Sequence, residues 1–108
     1  MRSWVPGLAA AFALVLPASA ALAADDVQQL RTAALAATCA NCHGTAGQAL
    51  DRSAVPGLAG LSQAYFLAQM KDFRSGARTP TVMHQIAKGY SEAQIEQLAA
   101  YFAAQPKR

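Results

Sequence analysis

Cys39-Ala40-Asn41-Cys42-His43 limits this chain more than anything else in it. Two cysteines and a histidine at C-x-x-C-H spacing form the attachment signature of a c-type haem. The chemistry sets the spacing. Thiols about one helical turn apart can each add to a vinyl group of one porphyrin, and the next residue then lies beneath the iron. Histidine at that place supplies a nitrogen that binds iron well, and its other ring nitrogen can be held by an acceptor behind it. The chain has two cysteines, both in the motif, so one covalent haem c is expected.

Other readings of the pair are weaker. A structural disulfide suits a secreted chain, but a ring closed over so few residues stabilises little. A thioredoxin-like redox pair follows a strand in a βαβ unit, and here a helical pattern precedes Cys39. A zinc site takes about four ligands, and Cys39, Cys42, His43 and His84 are the only set available. A secretory leader and the helical patterning of the remainder favour haem over all three.

The leader is read from the first residues. Met1-Arg2 gives a basic start, Leu8 to Leu16 form an unbroken apolar run, and Pro17 ends it. Two small-x-small sites follow, Ala18-Ser19-Ala20 and Ala21-Leu22-Ala23. These are the parts of a secretory signal peptide, and the run is far short of the roughly 20 apolar residues that span a bilayer. Cleavage after Ala23 is expected, with residues 1–23 as signal peptide. Residues 24–108 then form one periplasmic domain with no membrane anchor. A chain so short buries a marginal core and leans on a staple, metal or cofactor. The eight Lys and Arg and six Asp and Glu of residues 24–108 are scattered and not interleaved with aromatics, which argues against nucleic-acid binding. Two haem propionates would offset most of that small excess, so net charge says little about partners.

No repeat, linker or strand-like alternation interrupts residues 24–108; helical periods dominate. A first helix is expected from Asp25 or Asp26, acids suited to a helix start, with Val27, Leu30, Ala34 and Ala37 as its apolar stripe. Gly44, Gly47, Pro56, Gly57 and Gly60 mark a loop. Ser62 is placed to cap a second helix whose stripe is Phe66, Met70 and Phe73. Lys71 and Arg74 sit in its last turn and Gly76 just past its end. An irregular stretch from Ala77 to Tyr90 follows, with a short turn near Ile86. Ser91-Glu92-Ala93-Gln94 has the form of a capping box. It opens a last helix with Ile95, Leu98, Ala99 and Phe102 on its stripe, ended by Pro106.

For the second axial position on the iron the candidates are Met70, Met83 and His84. Met70 lies on the stripe between Phe66 and Phe73 and reads as core. Met83 follows Pro80 in the irregular stretch, where a loop can present its thioether to the iron. Met/His ligation marks electron-transfer cytochromes c and raises the reduction potential. His84 binds iron in principle, but neighbours on an extended loop point in opposite directions. A surface or propionate-facing imidazole is its plainer reading. His43 and Met83 are the expected axial pair.

These residues resemble the class I cytochrome c family over essentially all of residues 24–108. The resemblance implies an all-α class I cytochrome c fold, three to four helices around one covalent haem, with the first and last helices crossing. Within the family, Tyr65 to Gly76 resembles one domain of the dihaem cytochromes. Met83 to Tyr90 is similar to the monohaem cytochrome subunit of flavocytochrome c sulfide dehydrogenases. By position, the resemblance implies that Pro56 offers its carbonyl to the far nitrogen of His43. It also implies that Tyr101 or Phe102 packs the last helix against the first. The single C-x-x-C-H departs from the dihaem members.

The implied function is transfer of single electrons. One form is a haem subunit that accepts them from an FAD-containing sulfide dehydrogenase subunit. The other is a free diffusible carrier between respiratory or photosynthetic redox proteins. No catalysis is expected from this chain alone, and Met83 argues against the open iron position that an enzyme or gas sensor needs.

Overall fold

The computed structural model describes Met1 and residues 18–107. Arg2, the apolar run from Leu8 to Leu16, and Arg108 lie outside the described residues. Among the described residues there are five α-helices, α1 (Ala18–Ala37), α2 (Ala40–His43), α3 (Gln63–Ser75), α4 (Met83–Lys88) and α5 (Glu92–Ala103), with a 3-10 turn at Thr45–Gly47. No strand occurs among the described residues, so the all-α class stands. The expected three to four helices become three long and two short ones. The short pair, α2 and α4, hold four and six residues, too few for an apolar period to show itself. No helix among the described residues is long and apolar enough to cross a membrane.

The caps that delimit α3 and α5 are built as their residue types dictate. Ser62 Oγ accepts from the Tyr65 amide at 3.2 Å, and Gly76 closes α3 in the left-handed conformation at φ 83°. At the start of α5, Ser91 Oγ accepts from the Gln94 amide and Gln94 Oε1 accepts from the Ser91 amide, a complete capping box. Both predicted stripes are buried: Phe66, Met70 and Phe73 on α3, and Ile95, Leu98, Ala99 and Phe102 on α5. They meet at Phe66 and Phe102, whose rings stack with centroids 5.7 Å apart. Tyr101 meets Phe102 edge-on at 5.2 Å. Phe102 thus ties α5 to α3, and it shares one core cluster with Ala36 of α1.

α1 does pack on α5, but not with the expected face. Leu30 is 70% exposed, and Val27, Ala34 and Ala37 are also exposed. Ala36 is buried in the core instead, with Leu35 and Cys39 packed beside it. Alanine at positions 33, 34, 36 and 37 makes every face of the helix end equally apolar, so period alone could not choose one. α1 also begins upstream of Asp25. The alanine-rich run before it carries the best intrinsic helix propensity and no breaker.

Gly47 knots the long loop to this core. Its carbonyl accepts from the Leu58 and Ala59 amides at 2.8 and 3.1 Å. Its φ is 75°, and a Cβ there would lie 2.8 Å from the Ala59 nitrogen and 2.9 Å from the Phe102 ring. Gly76, with a similar φ of 83°, has nothing within 4 Å of such a Cβ. Gly47→Ala should therefore cost about 2–4 kcal/mol in denaturant unfolding, strain plus overpacking. Gly76→Ala should cost only about 1 kcal/mol. Equal losses at the two positions would show that the crowding around Gly47 is without consequence.

Candidate functional site

The turn just after α1, helices α2, α3 and α4, and the loops at 54–58 and 78–82 enclose a cavity of about 460 Å³, with Cys39, Cys42, His43, Met70 and Met83 on its wall. That volume is typical of a small-molecule or cofactor pocket. α2 is the single turn that carries the motif, so its residues project together. His43 is buried, and its Nδ1 donates to the Pro56 carbonyl at 2.6 Å. A carbonyl only accepts, so the proton sits on Nδ1 and the neutral ring keeps its free lone pair on Nε2. This is the state in which imidazole ligates a metal.

The two cysteines differ in setting. Cys42 is exposed, Cys39 is half-buried, and neither sulfur is bonded to the other. Burial pushes the Cys39 thiol up, and the Thr38 and Tyr90 hydroxyls beside it pull it partly back. Those hydroxyls form a chain of their own. Thr38 Oγ1 donates to the Leu35 carbonyl at 2.7 Å, and the Tyr90 hydroxyl lies 2.6 Å from Thr38 Oγ1. Threonine has one proton to give, so Tyr90 is the donor in the second bond. The chain fastens the end of α1, and with it Cys39, to the joint before α5. Neither Thr38 nor Tyr90 was singled out from sequence, since their 52-residue separation leaves no local signal.

The methionines require a correction. Met83 was expected on an extended loop; it is the first residue of α4. Nothing from Val82 to Lys88 breaks a helix, and Gly89 stops it. On a helix the next residue points about 100° away, not opposite. His84 accordingly turns from the cavity, whose wall includes Met83 and Ile86 but not His84. The His84 Nδ1 is buried without a partner. Met70 lines the cavity too, while only 5% exposed and set in the core.

The rest of the wall is mostly apolar, with Leu58, Leu61, Phe66, Phe73, Val82 and Ile86 among its residues. Two thiols and a tautomer-fixed imidazole on one turn, a thioether on the same wall and apolar surroundings fit a covalently held haem. They do not fit a zinc centre. Among the described residues no group of three His, Cys, Asp or Glu is gathered closely enough to hold an ion. A redox disulfide of the thioredoxin kind lacks its strand.

Comparisons with known proteins agree with this chemistry. The sequence model of cytochrome c matches residues 27–105. The cytochrome subunit of sulfide dehydrogenase from Chlorobaculum tepidum is 40% identical over 80 residues, covering 74% of this chain and 71% of that one. A thiosulfate dehydrogenase electron acceptor from Stutzerimonas stutzeri is 38% identical over 71 residues; these span 66% of this chain and only 33% of the relative. Among solved structures, the cytochrome c4 of Acidithiobacillus ferrooxidans superimposes with a TM-score of 0.57 at 39% identity, over 61% of this chain and 37% of that one.

Proposed function

The chain belongs to the cytochrome c family, and from that premise we propose that it serves in the periplasm as the electron-accepting subunit of an FAD-containing sulfide dehydrogenase. It holds one covalent haem c and transfers electrons to and from redox partners. In the proposed arrangement Cys39 and Cys42 would hold the haem, His43 and Met83 would ligate its iron, and Pro56 orients His43. Residues 1–23 act as the signal peptide and residues 24–108 as the working domain. When bound, the haem supplies a reversible one-electron change at iron.

The protein's own groups set the terms of that change. The Pro56 carbonyl holds the proton on Nδ1 of His43, which keeps Nε2 basic and its ring in one orientation. The apolar wall excludes water, which disfavours extra charge at the site and so favours the reduced form. Cys42, exposed at the rim, marks the edge where a partner could approach most closely.

The observation that carries the reading is the match to the sulfide dehydrogenase subunit, which runs along most of both chains. Sulfide oxidation at a flavin releases electrons in pairs, whereas one haem accepts one at a time. The subunit must therefore discharge to a further acceptor between two successive reductions. The test is sulfide-dependent reduction of the haem with and without the flavoprotein from the same organism. Reduction at least tenfold faster with the flavoprotein, and co-elution of the two chains at modest salt, is the expected result. Equal, slow reduction without co-elution would instead make this a diffusible carrier, whose contacts are smaller and salt-sensitive.

A further inference from the structure

The cavity wall carries a single permanently charged side chain, Arg78, and no Lys, Asp or Glu. Arg78 lies just past the end of α3, where its amide donates to the Asp72 carbonyl at 3.2 Å. Its guanidinium carbon sits 4.6 Å from the centroid of the Phe73 ring, and Nη1 donates to Gln69 Oε1. Phe73 and Gln69 line the same cavity. Phe73 and Gln69 thus hold the guanidinium against the cavity wall. Of five N–H donors, one is used by that bond. The ion pair found among the described residues joins Arg74 to Glu92, so no carboxylate among those residues pairs with Arg78. A guanidinium immobilised in advance loses little further freedom when it binds an anion.

A haem brings two propionate carboxylates to this otherwise apolar space, and a carboxylate moved from water into such surroundings needs a paired cation or hydrogen bonds. We propose that Arg78 is the anion clamp of the cavity, receiving one haem propionate on the free edge of its guanidinium and thereby favouring the reduced haem. The proposal rests on the cytochrome reading. A cation beside the haem opposes the additional positive charge of the ferric state, and neutralising the propionate removes a charge that would favour it. Arg78 is thus a positioning residue for the cofactor's acid groups, and it acts on the electron equilibrium from the rim.

The test uses the haem-loaded secreted protein, with haem content of the wild type established first. Absence of covalent haem there would sink the cytochrome reading itself, before Arg78 is touched. Arg78→Gln should keep the haem and the helical spectrum, because the side chain is exposed. Its redox equilibrium against a mediator should move towards the oxidised form by about threefold to tenfold at low salt. The propionate bending band in its resonance Raman spectrum should shift as well. Arg78→Lys keeps the charge without the planar fork and should fall between. Arg74→Gln, which removes a like charge from the same region without touching the cavity, should change neither readout. An unchanged equilibrium and band in Arg78→Gln, or an equal shift in Arg74→Gln, overturns the clamp. So does a variant altered only in its rate with a protein partner, which would assign Arg78 to a partner's carboxylate.

Discussion

Changing Cys39 and Cys42 together to serine yields a protein from which every trace of haem is lost in acid–acetone extraction, whereas the wild type retains one haem per chain by mass. The expectation follows from the absence of any other cysteine and from the placement of both on one wall of the cavity. Each single variant keeps one link, so it should mature poorly and yet hold haem through the extraction. The fold suffers in the double variant as well. Of the nine buried apolar residues among those described, Phe66, Met70 and Phe73 also line the cavity. Without the cofactor each of them faces water or a void on one side. A void forfeits the dispersion contacts of its lining on that side, and a small domain has only about 5–15 kcal/mol of stability to lose. Circular dichroism should show a weak, broad melt in place of a cooperative one. Haem that survived extraction in the double variant would refute covalent attachment through these sulfurs.

Legibility in the sequence followed the range of the interaction. Features decided within a few residues were readable: the C-x-x-C-H turn, the Ser62 cap, the Gly76 stop, the Ser91 capping box, and the stripes of α3 and α5. In each of these a side chain answers a backbone group or a period close by, and its residue type is specific enough to name. α1 was misread for the opposite reason. Its alanines satisfy any face, and the choice of Leu35 and Ala36 is made by α5, more than fifty residues away. α4 was missed because six residues offer less than two turns of period. The Thr38–Tyr90 bridge and the seating of Arg78 on Phe73 depend on where α3 and α4 come to rest, which no local pattern encodes. What remained legible of the site was its chemistry; its supporting contacts were not.

Two methionines reach the cavity, and replacing each by alanine should separate a ligand from a packing residue. Met83 opens α4 at the wall, half-buried and packed on the edge of the core. Met70 stands between Phe66 and Phe73 on the inner face of α3, 5% exposed. A side chain held between two aromatic neighbours along a helix is spent on packing. Met83→Ala should therefore abolish the weak near-red absorbance of iron–thioether ligation in the oxidised protein. It should also lower the reduction potential, since thioether ligation raises it, and let small exogenous ligands bind. Its effect on stability should be the smaller, because Met83 is only half-buried. Met70→Ala should leave the band in place and cost about 2–5 kcal/mol, the usual loss for a buried methionine. The buried, unpartnered His84 Nδ1 adds a second readable outcome. If α4 turns by one residue in Met83→Ala, the spectrum becomes that of two imidazoles and external ligands no longer bind. That spectrum in the wild type would instead make His84 the ligand. Loss of the band in Met70→Ala with its retention in Met83→Ala would transfer the role to Met70.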